Sequence, residues 1–194
     1  MTLIEPRVSE PKAIRFFARR RPWNLWGLAH RPTAHDTGTG LPRLELVWLG
    51  HYIVPVKVTS RRGPGQIDVA VEGHSGAFSV FERHRNLVER DIEEEAFPPR
   101  LTEAEAAAIG RKELLKTIMR RRGQLGKPTI TDTLPPSVFY YPFWVYYYER
   151  RKGLLDIRVL DALVHKKAGP KNRSGILSAF IGADDAARAA FERR

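Results

Sequence analysis

The sequence predicts an α+β protein: antiparallel β-hairpins in two similar copies, a packed amphipathic helix and an extended N-terminal arm. Three observations predict it. First, Val138 to Tyr148 is almost wholly aromatic or β-branched, the side chains that suit a pleated, half-buried surface. Glu149-Arg150-Arg151-Lys152-Gly153 then supplies a polar, Gly-ended turn, and Leu155, Ile157 and Val159 alternate with Asp156, Arg158 and Leu160, which reads as a hairpin. Second, His51 to Glu82 follows the same plan: a Pro-containing strand, a basic Gly-containing turn and an alternating strand. Val54–Val58 is set opposite Tyr141–Val145, and Ile67/Val69/Val71 opposite Leu155/Ile157/Val159. Two copies are too few for a solenoid, so a pseudo-symmetric pair sharing one core is expected. Third, Thr102-Glu103-Ala104-Glu105 is a capping box that opens an Ala-rich helix.

In chain order, residues 1–40 read as an extended arm rich in Pro, Gly, His and Arg, with a short helix from Pro11 to Arg20 stopped by Pro22. Phe16, Phe17, Trp23, Trp26 and Leu28 are costly to leave in water, at roughly 1.5–3 kcal/mol each, so the arm is expected to lie on a surface, its own or a partner's. Residues 41–100 form the first β-rich repeat. Leu44 to Ser60 is a long strand with Gly50 as a candidate bulge, Ser60 to Gly65 a turn, Gly73 and Gly76 a second reversal, and Arg83 to Phe97 a short surface helix. Residues 101–194 form the second repeat. In its helix Ala104, Ala107, Ala108, Leu114, Leu115 and Ile118 recur at helical spacing and Gly123 is the stop. Thr129-Ile130-Thr131 is a short strand, the central hairpin follows, Ile176 to Ile181 is a last strand, and Asp184 to Arg194 a short helix with acids first and arginines last.

The run from Leu101 to Gly169 resembles the PepSY family, through the Thr102-Glu103-x-Glu105-Ala106 helix start, the strand with Trp144-x-Tyr146-Tyr147-Tyr148, and Ile157-Arg-Val159-Leu-Asp161-Ala162. In the family the last strand ends in a V-D-A-x-T-G turn; here Asp161-Ala162-Leu163 fits it and Val164-His165 replaces Thr-Gly. Val71-Glu72-Gly73-His74-Ser75-Gly76 is a second, similar turn without an evident preceding helix. The resemblance implies a helix on an antiparallel sheet, no catalytic residues of its own, and a role in protein–protein contact or peptidase restraint. Most members are exported, and this sequence carries no apolar signal-peptide core.

Composition narrows the rest. The chain of 194 residues is 42% apolar, with four Trp, six Tyr and nine Phe, enough for a core. It has no Cys, which removes disulfides and thiolate chemistry and fits a cytoplasmic address. No apolar run approaches the roughly 18 residues of a membrane span. The net charge of +11 concentrates at the ends: residues 1–40 hold seven basic against three acidic groups and 101–194 eighteen against ten. Such a field attracts anionic partners of unspecified kind.

No cofactor, metal or catalytic constellation is expected. Gly63-Pro64-Gly65 lacks the Lys-Ser/Thr of a phosphate loop, the six histidines show no HxH or HExxH spacing, and Glu93-Glu94-Glu95 reads as a solvated run. Nothing in the sequence brings His35-Asp36 together with Ser75 as a triad. The expectation is a non-catalytic interaction module, an accessory subunit whose partner, a protein with an acidic or apolar surface, is met by Phe16, Phe17, Arg19, Arg20, Arg21, Trp23, Trp26, Tyr141, Phe143, Trp144 and Tyr146. The alternatives are sequence-independent nucleic-acid binding through the basic ends and stacked tyrosines, and peptidase regulation of the PepSY type.

Overall fold

A computed structural model describes residues 1–18, 44–92, 95–120, 127–151 and 154–192. It is an α+β fold: three helices against a sheet whose main path is β10-β9-β8-β2-β3-β4. The strands are β1 (Thr2–Ile4), β2 (Leu44–Ser60), β3 (Gly63–Glu72), β4 (Phe78–Val80), β5 (Leu87–Glu89), β6 (Ala96–Phe97), β7 (Thr129–Thr133), β8 (Ser137–Arg151), β9 (Leu154–Asp161) and β10 (Lys166–Lys167). The helices are α1 (Glu10–Ala18), α2 (Glu103–Arg120) and α3 (Pro170–Glu192). No described helix is long and apolar enough to cross a membrane.

The two long hairpins, β2–β3 and β8–β9, lie side by side through antiparallel pairing of β2 with β8. Each is entered by a short parallel strand from the opposite repeat: β1 pairs with β8 at Leu3↔Tyr140, and β6 with β2 at Trp48↔Ala96. The helices that follow are anchored the same way. Arg7 and Val8, before α1, both donate their N–H to the Ala162 carbonyl, and Arg100 and Leu101, before α2, both donate to the Gly73 carbonyl. Matched on these anchors, Trp48 corresponds to Tyr140, His51 to Phe143, and Leu49 to Tyr141, which is also its cross-strand partner. A local two-fold axis therefore passes through the Leu49–Tyr141 pair, and each repeat lends its first strand and helix to the other.

This arrangement corrects the expected register of the repeat, because Pro142 corresponds to Gly50 and not to Pro55. It also supplies the helix of the first copy, which is α1, inside the segment read as an extended arm. The short helix expected over Arg83 to Phe97 is instead a single 3-10 turn (His84–Asn86) between β4 and the short strands β5 and β6, since Leu87 and Val88 are drawn into pairing with β1. Ile176 to Ile181 is helical, part of α3; Pro170 starts that helix where its missing N–H costs nothing, and Ile176, Ala179 and Phe180 return to one side at helical spacing.

Both faces of the sheet are covered. On one, α1 places Ala13 and Phe17 on Trp144, Tyr146 and Leu160, and α2 places Ala106, Leu114 and Ile118 on Val54, Val56, Val69 and Val71. On the other, Ile176 and Ala179 of α3 pack on Val47, Phe143, Val145 and Val159, while Ile4, Phe81 and Leu163 cover Ile53 and Phe139. The inward stripe of α2 is Ala106, Gly110, Leu114 and Ile118, at strict four-residue spacing. Gly110 sets the approach, because a Cβ there would sit 3.0 Å from Val69 Cγ2. Gly50 is no bulge but lies in regular ladders; a Cβ would meet Pro99 Cδ at 2.5 Å.

Candidate functional site

Of the residues expected to meet a partner, Phe17, Phe143, Trp144 and Tyr146 are buried in the chain's own core, and Phe16 and Tyr141 partly so. Phe17 is buried with its ring stacked on Tyr146 at 5.3 Å, and Phe16 is half-buried beside His165. Trp144 is buried and donates its Nε1–H to the Val8 carbonyl at 2.7 Å. Phe143 is buried under α3, and Tyr141 is partly buried with its hydroxyl donating to Asp161. Arg19, Arg20, Arg21, Trp23 and Trp26 lie outside the described residues, as does His35-Asp36. The structure thus brings Phe17, Trp144 and Tyr146 together around α1, and Tyr141 and Phe143 on the opposite face of the same strand.

A polar centre, unforeseen as such, lies near the two-fold axis. Each hairpin ends in an acid whose carboxylate closes a turn. Glu72, only 1% exposed, accepts from the N–H groups of His74 and Ser75 at 2.7 and 2.6 Å and from the Ser75 hydroxyl. Asp161 accepts from the N–H groups of Leu163 and Val164 at 2.8 and 3.0 Å. Four residues after each acid the backbone turns to positive φ, at Gly76 and at His165. The second of these is an unusual conformation for a residue with a side chain. These carboxylates are held by their own turns, so their lone pairs are committed to structure.

Two histidines complete the centre. His51 is buried among Phe139, Tyr141 and Phe143, with Nδ1 2.9 Å from the Leu49 carbonyl; the His74 ring is partly buried against the Pro98 carbonyl. Burial lowers the pKa of both, more than the neighbouring Glu72 carboxylate raises them. Burial raises the Tyr141 hydroxyl well above the usual phenol range, with the Asp161 charge adding to it. Among the described residues no group of three His, Asp or Glu side chains is set to hold a metal ion.

The histidines make stability pH-dependent with a definite sign. Burial makes both harder to protonate in the fold, whereas unfolded histidine gains its proton near pH 6.5. Stability is therefore full above about pH 7 and falls as the pH drops through about 6.5 toward the lower folded values, before most carboxylates titrate. Urea midpoints at about pH 7.5 and 5.5 should show a lower value at the acid end, with a smaller difference in His74→Gln. A midpoint that holds or rises on acidification would contradict this assignment.

The other distinctive surface is the outer side of α2. Leu115 and Met119, one turn apart, are 49% and 61% exposed. Ala104 and Ala108 are exposed further up the helix, and Arg111, Lys112, Lys116 and Arg120 are exposed along it. The expected single stripe is therefore two: Leu114 turns inward and Leu115, about 100° round the helix, turns out. A scan of protein-family models and searches of curated proteins and of solved structures find nothing that matches this chain.

Proposed function

We propose that the chain is a non-catalytic protein-interaction module of the cytoplasm, an accessory or structural subunit of a larger assembly built on two PepSY-like copies. The observation that carries this reading is the outer face of α2, where two large apolar side chains stand in water beside basic groups. The committed carboxylates of Glu72 and Asp161 favour a structural over a catalytic use of the polar centre. The tyrosines support base stacking poorly, since the Tyr146 and Tyr147 rings are buried against Phe17 and Phe180. Support for the PepSY resemblance comes from the recurring order of short strand, helix, hairpin and acid-closed turn. The test is co-purification from the native host with tagged wild type and with Leu115→Glu/Met119→Glu. The variant should keep its stability within about 0.5 kcal/mol and lose a stoichiometric subunit that wild type retains. A wild-type chain that returns alone and monomeric would defeat the proposal.

A further inference from the structure

We infer that the outer face of α2 docks an acidic, amphipathic helical segment of a partner protein; this rests on the interaction-module reading and names its partner class. At 100° per residue, Ala104, Leu115, Ala108 and Met119 fall within about 60° of one another, an apolar stripe about 22 Å long. Its two small residues allow a second helix to approach closely, and its two large ones stand one turn apart as anchors. All four are exposed. Arg111 borders one edge of the stripe and Lys112, Glu105 and Lys116 the other, while the Lys127 ammonium donates to the Met119 carbonyl at its end.

Of the acids of this helix, Glu113 offsets Lys116, with which it pairs at 2.5 Å, and Glu105 is turned to the capping box with Thr102 (2.8 Å to its N–H), so Arg111, Lys112 and Lys127 are the cations left to the face. Among the described residues these three hold no ion pair. The chain's net charge of +11 deepens the same field. An occupant must therefore carry apolar side chains on one face and carboxylates flanking them, which a helix supplies at three- and four-residue spacing. A lipid surface fits less well, because only two large apolar groups are offered and Glu103 and Glu105 face water at one end. Nucleic acid fits less well because phosphates would leave Leu115 and Met119 wet.

The experiment titrates the full chain into a labelled model peptide, a helix with leucines one turn apart flanked by glutamates, and into its lysine-flanked counterpart, following anisotropy at two salt concentrations. Saturable binding of the acidic peptide alone is expected, weakened by salt. It should fall at least tenfold in Leu115→Glu/Met119→Glu and in Arg111→Glu/Lys112→Glu, both checked for unchanged circular dichroism. Equal binding of the two peptides, no binding, or indifference to either variant overturns the inference. So does displacement of the peptide by phosphatidylserine vesicles or an oligonucleotide, or dimerisation of the chain abolished by the same variants, since the face then belongs to lipid, nucleic acid or a second copy. If the co-purified subunit is lost with Leu115→Glu/Met119→Glu yet survives Arg111→Glu/Lys112→Glu, the interaction module stands and the acidic class falls.

Discussion

A chain truncated to residues 41–194 is expected not to fold. The truncation removes Leu3, Ile4, Val8, Ala13 and Phe17, all buried, together with the strand that pairs with both β5 and β8. It strips the cover from Trp144, Tyr146 and Leu160 and takes away the Val8 carbonyl that the Trp144 indole N–H requires. Removing a buried large apolar side chain typically costs about 2–5 kcal/mol, so this set together exceeds a total stability of about 5–15 kcal/mol. Expression of 41–194 should give insoluble protein, or soluble protein without a cooperative urea transition. In the intact chain, limited trypsin digestion should spare Arg7, Lys12 and Arg15, although such basic sites in a loose arm would be cut first. Cooperative unfolding of the truncated chain near the wild-type midpoint would show that β1 and α1 are dispensable.

Glu72→Ala is expected to destabilise the protein by about 3–5 kcal/mol, since three enclosed donors are left without an acceptor at about 1–3 kcal/mol apiece. Three donors lose their acceptor at once: the His74 and Ser75 N–H groups and the Ser75 hydroxyl. The turn they form also offers the Gly73 carbonyl to the residues that lead into α2, so its loosening spreads to that helix. At about 2–4 °C per kcal/mol for a chain of this size, the melting temperature should drop by roughly 6–20 °C. Glu72→Gln, which keeps one acceptor oxygen, should lose less. A melting temperature for Glu72→Ala within about 2 °C of wild type would mean that the turn is held by something else.

What could be read from the sequence was what is local. The hairpins follow from β-branched and aromatic runs broken by Gly turns, and the capping box is present as read, with Thr102 and Glu105 exchanging hydrogen bonds. Thr129 to Thr131 does lie in β7. What failed depended on distant partners. Leu87 and Val88 are extended because β1, more than eighty residues earlier, pairs with them. Tyr141, Phe143, Trp144 and Tyr146 were expected against a partner because α1 lies far off in the sequence and Ile176 to Ile181 of α3 reads locally as a strand. One signal for the first copy was there to be read: Pro6-Arg7-Val8-Ser9-Glu10 before Ala13 parallels Pro99-Arg100-Leu101-Thr102-Glu103 before Ala106. Its Pro11 and the Phe16-Phe17 pair disguised the likeness to an Ala-rich helix. On α2, the inward and outward sides were merged because Leu114 and Leu115 are adjacent in sequence and only the sheet distinguishes them.

The exchange of first strands between repeats also governs the order in which a nascent chain can settle. Leu3 waits for Tyr140, and Arg7 and Val8 wait for the Ala162 carbonyl. At about 5–20 residues per second of synthesis, the amino-terminal helix is therefore outside the ribosome on the order of ten seconds before its seat exists. During that interval Phe16 and Phe17 are exposed, and the basic residues beside them, Arg15 and Arg19 to Arg21, are the kind that keep such a segment from aggregating. Neither repeat can finish alone, so the amino terminus is made first and is among the last parts to find its place.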